Sequence, residues 1–239
     1  NDGFSVVNVT NPSNPTEEFF INDLNSTWRD VKTFGNYAYV TTEADAGLLI
    51  VDLQNDFLHS QGAYGRAGLK NSDIGALPSR IAPIANKLKM KDGWIVSTQF
   101  TLVPGKEKNP FISDHLIKLR PFLSKGDFLP GAWGHDLVEE LKPADLTIEK
   151  VAYSAFYMTR LEWVLKKAEI EHLFVCGIVT NGGVASTVRD AHVRDFKVTV
   201  LSDGCAAFSP SVHQQSISDL ATIANVKTCS EALEIIENS

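Results

Sequence analysis

Three places in this 239-residue chain put reactive side chains or bare backbone at the end of an apolar run. Asp52 closes LLIVD, Lys150 closes LTIEK, and Thr180-Asn181-Gly182-Gly183 follows LFVCGIV. A carboxylate and an ammonium brought within a few ångströms each favour the other's charged form, more strongly where burial lowers the local dielectric. Gly182 and Gly183, at the start of a helix, let a ligand approach free N–H groups that can hold a carboxylate or a developing oxyanion. Taken together these residues are an acid–base pair beside an anion-binding turn. Each also has a plainer explanation. Asp52 alone suits a strand-end turn, Lys150 a solvated charge, and the glycine pair close helix packing.

The elements that would bring these positions together follow a βαβ pattern. Runs at 48–53, 94–98, 146–150, 172–179, 197–201 and near Val226 predict six strands. Between them, Ile81, Ile84, Ala85 and Leu88 share one helical face, as do Leu161, Val164, Leu165 and Ala168, and Val184, Val188 and Ala191. A further helix is expected from about Val212. This grammar predicts an α/β fold: a doubly wound, mainly parallel, six-stranded Rossmann-like sheet with helices on both faces. Open parallel sheets bind ligands beyond the carboxyl ends of their strands, which is where Asp52, Lys150 and the glycine turn fall. Residues 102–145, with Pro104, Pro110, Pro121, Pro130 and Pro143, form the longest irregular stretch and the expected cover over a pocket.

The N-terminal residues differ. Gly3–Pro15 and Gly47–Asp56 align as a weak repeat, and between them DVKTFGNYAYVTTEADAG alternates apolar and polar residues around Gly35-Asn36, a hairpin signal. Residues 1–53 resemble a blade of the LVIVD-type β-propeller repeat. The expected division is an N-terminal β-hairpin or blade-like appendage over 1–46 and an α/β domain over 47–239. The appendage is expected to be an interaction module, an oligomer contact or a fusion remnant. The chain begins at Asn1 rather than Met, as a fragment or processed product would.

Composition narrows the partners. A formal charge of −7 offers no basic stripe for nucleic acid, and no apolar run reaches the roughly 20 residues of a membrane helix. Three cysteines in an odd, unpaired pattern fit a reducing compartment, so the cytoplasm is expected. Cys176 is expected in mid-strand and Cys205 in a strand-to-helix loop, both structural. The six histidines lie too far apart for a short metal-binding motif; no metal and no cofactor are expected. A small-molecule substrate is the expected partner.

From Gly47 to about Ile236 the chain resembles the isochorismatase-like hydrolase superfamily. LLIVDLQNDF, PGAWGHDLVEEL (130–141), EKVAYSAF (149–156), CGIVTNGGVASTVRDA (176–191) and VTVLSDGCAAF (198–208) carry the resemblance. It implies a triad of Asp, Lys and Cys, with Asp52 and Lys150 in the first two places and Gly183 in the place of the cysteine. Thiolate attack on an amide or ureide carbonyl is then closed to this chain in its usual form. Isochorismatases proper also carry glycine there, and the resemblance implies that their aspartate acts as an acid on a vinyl ether. This sequence reads GIVTNGG where that branch has GVYAHIG, so isochorismate is not the expected substrate, and STQFTLVPG lacks the zinc ligands of the nicotinamidase branch. Dimers or larger homo-oligomers are implied as well.

The expected function is therefore hydrolysis of a small metabolite by Asp/Lys chemistry, at a vinyl-ether C–O or a C–N bond. Asp52 would be the acid or base, Lys150 its charge partner, and Phe57, Phe100, Trp133, Tyr153, Phe156, Asn181 and Gly182 would line the substrate site. The rival expectation is a member without catalysis that binds a ligand or partner.

Overall fold

The computed structural model of the chain describes residues 3–8, 10–11, 13–22, 29–34, 37–42, 45–69 and 71–237. Near the N-terminus, β1 (Gly3–Asn8) pairs antiparallel with β2 (Thr16–Asn22), and β3 (Arg29–Phe34) with β4 (Tyr37–Thr42). The last pair is the hairpin expected from the alternation. Its turn residues, Gly35 and Asn36, lie outside the described residues.

The main sheet consists of β5 (Asp45–Val51), β6 (Trp94–Phe100), β7 (Leu146–Lys150), β8 (Ile170–Ile178), β9 (Lys197–Ala206) and β10 (Asn225–Lys227). The order is β10-β9-β8-β5-β6-β7, with every neighbouring pair parallel. The chain thus builds outward from β5 to one edge and returns to the other side of β5 at β8. The strand order reverses between β5 and β8, the place where such sheets open a crevice at their carboxyl ends.

Helices cover both faces. Between β5 and β6 run α1 (Asn55–Leu58), α2 (Ala63–Arg66), α3 (Ser72–Gly75) and α4 (Leu77–Met90); α5 (Asp114–Leu119) precedes β7, and α6 (Leu161–Lys167) precedes β8. After β8 come α7 (Ala185–His192), α8 (Pro210–Leu220) and α9 (Cys229–Glu237). The period-2 rule is plain in β5: Leu48 and Ile50 pack with α4 and α9, whereas Leu49 and Val51 pack with α6, α7 and α8. All four are fully buried, as a central strand covered on both faces requires. Among the described residues no helix is long and apolar enough to cross a membrane.

Two elements depart from the sequence expectation. β9 continues through Ala206, so Cys205 lies in a strand rather than a loop. The pairing with β8 shifts register between Val175 and Gly177, and that irregularity absorbs the residues after Leu201. Helix α9 was not expected, although Cys229, Ala232 and Ile236 fall on one helical face and are buried against α4. The irregular stretch 102–145 holds α5 and short 3-10 turns, and its Leu102 and Phe128 join Ala63 and Tyr64 in a small core of their own.

Candidate active site

Asp52 immediately follows β5 and turns the chain with a positive φ of 57°, a conformation that Asp tolerates better than most residues. The residue is 5% exposed, and two side chains hold its carboxylate. Lys150 Nζ stands 2.7 Å from Oδ2, and Thr98 Oγ1 donates to Oδ1 at 2.8 Å. The Asp52 N–H in turn donates to Thr98 Oγ1 at 3.3 Å. Thr98 therefore fixes the carboxylate from the neighbouring strand, and nothing in the motif around Asp52 announces it. The pairing register of β5 and β6 is what places it there, with Val51 opposite Thr98.

Lys150 ends β7, two strands from β5, and its long side chain spans the gap. Nζ also donates to the carbonyls of Ala152 and Tyr153, each at 3.0 Å, and lies 5.9 Å from the Phe100 ring centroid. An ammonium has three N–H donors. All three are matched by these oxygens, so Lys150 acts on its surroundings through charge and through Asp52. Burial pushes the Asp52 carboxyl above its ordinary value, and the charge and hydrogen bond of Lys150 and the hydroxyl of Thr98 pull against that rise.

The third component arrives from β8. At Gly177, with φ +121°, an added Cβ would lie 2.1 Å from the Val51 carbonyl oxygen, so only glycine lets β8 approach β5 this closely beside Asp52. The chain then forms a wide turn of the π type, Thr180–Val184, leading into α7. At Gly183 a Cβ would sit 3.1 Å from Asp52 Oδ2, 3.0 Å from the Ile178 carbonyl oxygen and 3.2 Å from Val51 Cγ1. Gly183 thus faces the same carboxylate oxygen that pairs with Lys150. Gly182 is adjacent to Tyr153, whose ring would be 3.6 Å from a Cβ there.

The remaining residues expected at the site divide. Tyr153 and Asn181 are exposed next to the turn, and Trp133 is half exposed with its ring edge-on to His59. Phe57 and Phe100 belong to one aromatic group with Phe128 and Tyr64. Phe156 is buried on the α6–α8 face of the sheet against Phe196, with the Arg194 guanidinium over its ring, away from this cluster.

The residues after Asp52 act as scaffold. Gln54 Nε2 donates to the Phe100 and His135 carbonyls at 3.0 and 2.8 Å, and its Oε1 accepts from the Phe100 N–H at 2.8 Å. Asn55 donates to the Trp133 carbonyl, and Asp56 accepts from the N–H groups of Ala63 and Phe128. The motif thereby ties the 127–135 loop to the end of β5. On the other side, Ser154 bonds to Asp190, and the Ala155 N–H donates to Thr187 Oγ1, which anchors the loop after Lys150 on α7.

Cys176, Cys205 and Cys229 are all buried and free of disulfides. Burial pushes the Cys205 thiol up to about 12 and the Cys176 thiol well above its ordinary value, so neither forms a ready thiolate. Among the described residues no group of three or more His, Cys, Asp or Glu is placed to hold a metal ion.

The chain resembles known proteins in sequence and in fold. The family model of the isochorismatase domain matches residues 46–232, and that of the LVIVD repeat matches 1–23 and 27–56. A ureidoacrylate amidohydrolase of Pantoea ananatis is 32% identical over 203 residues, spanning 78% of this chain and 77% of the relative. Another from Methylorubrum extorquens is 30% identical over 220 residues, spanning 82% and 88%. The fold is similar to the crystal structure of a cysteine hydrolase from Pseudomonas syringae pv. phaseolicola, with a TM-score of 0.70, 23% identity and coverage of 82% of this chain and 94% of that one. It is also similar to an isochorismatase-like hydrolase from Alkaliphilus metalliredigens, with a TM-score of 0.64, 24% identity and coverage of 80% and 98%.

Proposed function

The chain belongs to the isochorismatase family, and from that premise we propose that residues 47–239 form a hydrolase domain that cleaves a C–N bond of a small amide or ureide without a covalent enzyme intermediate. The strands before β5, expected as an appendage over 1–46, are separate from it in this reading, with Asp45 and Ala46 already part of β5. The observation that carries the proposal is the direction of Gly183 toward Asp52 Oδ2, at 3.1 Å for an added Cβ, in a pair with Lys150 that is otherwise complete. A nucleophile is missing and its base is present.

Water is the attacking group in this reading. Asp52 Oδ2 takes a proton from water as the new C–O bond forms at the carbonyl carbon, and passes it to the leaving nitrogen as the C–N bond breaks. Ammonia or an amine leaves, and an acid or carbamate remains. Lys150 holds Asp52 ionised against the cost of burial. The Gly182 N–H is already given to the Val179 carbonyl at 2.9 Å, so the oxyanion role falls to the N–H groups of Asn181 and Gly183. Tyr153, Trp133, Phe57 and Phe100 offer surface for the substrate; Phe156 is not part of the proposal. The names of the relatives, ureidoacrylate amidohydrolases, support a C–N bond over a vinyl ether.

Gly183 also favours a second reading, in which the domain binds such a ligand without turning it over. The experiment that separates them is ammonia and pyruvate release by the purified protein over amides, ureides and isochorismate. Ammonia release supports the proposal, and pyruvate release supports vinyl-ether cleavage at the same carboxylate. Silence with ligand-induced thermal stabilisation supports the binding protein.

A further inference from the structure

Two strands from β5 and Asp52, the carboxyl end of β9 opens into a cleft of about 490 Å3, a size suited to a small metabolite. Its walls come from α3, α4, β9, β10 and α8. Three charged groups line it: Arg80 from α4, Asp73 from α3 and Asp203 from β9. Arg80 Nη1 donates to the Asp203 main-chain carbonyl at 3.2 Å, which sets the guanidinium against the cleft wall. Asp203 Oδ1 accepts from the Cys229 N–H at 2.6 Å. Among the described residues, no ion pair joins Arg80, Asp73 or Asp203 to an opposite charge. Ala206, Ile217 and Val226 supply an apolar part of the same lining.

One guanidinium and two carboxylates, unpaired with one another and next to apolar wall, complement a molecule with a carboxylate, an ammonium and a hydrocarbon group. We propose that this cleft is a second small-molecule site, for an amino acid with an apolar side chain. Arg80 takes the carboxylate, a planar fork being suited to it. Asp73 and Asp203 take the ammonium, and Ile217 and Val226 take the side chain. The site is separated from Asp52 by the turn after β8, to which it is joined by the 2.8 Å hydrogen bond between His213 of the cleft wall and Thr180 Oγ1. It does not depend on the catalytic role given to Asp52.

The test is calorimetric titration of the full chain with L-leucine, and with 4-methylpentanoate and 3-methylbutylamine, which lack the ammonium and the carboxylate respectively. The expected result is one equivalent of L-leucine bound and at least about tenfold weaker binding of either fragment, since each leaves a charged group of the site unmatched. Arg80→Ala and Asp73→Asn, both at exposed positions, should each weaken L-leucine by a similar factor with an unchanged circular dichroism spectrum. Asp52→Asn should leave the affinity as it is. Absence of binding, a fragment that binds as tightly as L-leucine, Arg80→Ala without effect, or loss of binding in Asp52→Asn would each overturn the proposal.

Discussion

Lys150 Nζ and Asp52 Oδ2 stand 2.7 Å apart with side chains only 1% and 6% exposed, so each is the main counter-charge of the other in a nearly dry setting. Taking one away strands its partner, which typically costs about 3–5 kcal/mol, whereas taking both away costs less. Lys150→Met should therefore lower the urea-unfolding free energy by about that amount, and Lys150→Met combined with Asp52→Asn should recover part of it. Additive losses would show that the two residues are not coupled.

Thr98 tunes the carboxylate. Its hydroxyl stabilises the ionised form of Asp52 and so lowers a pKa that burial has raised above the ordinary 3.8. A general base works ionised, and kcat/KM should fall as pH falls through that pKa. Thr98→Val removes the hydrogen bond at nearly constant volume and should move the acidic limb of the pH–rate profile upward. A limb that stays in place would deny Thr98 this role. The same raised pKa makes the contribution of Asp52 to stability fullest below 3.8 and lost as pH rises through the folded-state value.

His172 gives the opposite slope. It is buried in β8 with its Nε2 2.9 Å from Thr199 Oγ1, and burial lowers its pKa from 6.5 to about 4. The unfolded chain takes up the proton first. Stability from this residue is thus fully present above 6.5 and lost as pH falls toward 4, by roughly 3 kcal/mol at most from a shift of this size. Urea unfolding at pH 7 and pH 4.5 should show the loss, and His172→Gln should flatten the difference.

Gly183 is crowded as well as bare. A side chain there meets Asp52 Oδ2, the Ile178 carbonyl and Val51 Cγ1 at 3.0–3.2 Å, so Gly183→Ala should cost about 1–3 kcal/mol, as overpacking does. Gly183→Cys should carry the same cost but place a thiol against the Asp52–Lys150 pair. It should label with iodoacetamide faster than Cys176, Cys205 or Cys229 in the parent protein, which are all buried. Labelling no faster than the parent would mean that the turn does not present position 183 to the site.

Much of this was legible in the sequence because its signals are local. Runs of β-branched and apolar residues located all six strands of the main sheet, and helical spacing located α4, α6 and α7. Asp52, Lys150 and Gly183 stood at strand ends, and the topology brings strand ends together. Thr98 was not legible, because its role comes from register between β5 and β6, which no single stretch encodes. Gln54 and Asp56 belong to a stretch that carries the family resemblance; what they hold is backbone, most of it 46 to 81 residues away, which the stretch itself does not encode. Phe156 looked like pocket lining from its neighbours in sequence. Its partner Phe196 is 40 residues on, and only packing of the helices against the sheet joins them.

The most direct test of cysteine-free hydrolysis is the turnover of the best substrate, followed by ammonia release, in the native protein after iodoacetamide treatment and in Asp52→Asn. Full activity after alkylation together with a loss of about two to four orders of magnitude in Asp52→Asn is the predicted result. Inactivation by iodoacetamide, or an Asp52→Asn variant as active as the parent, would contradict it.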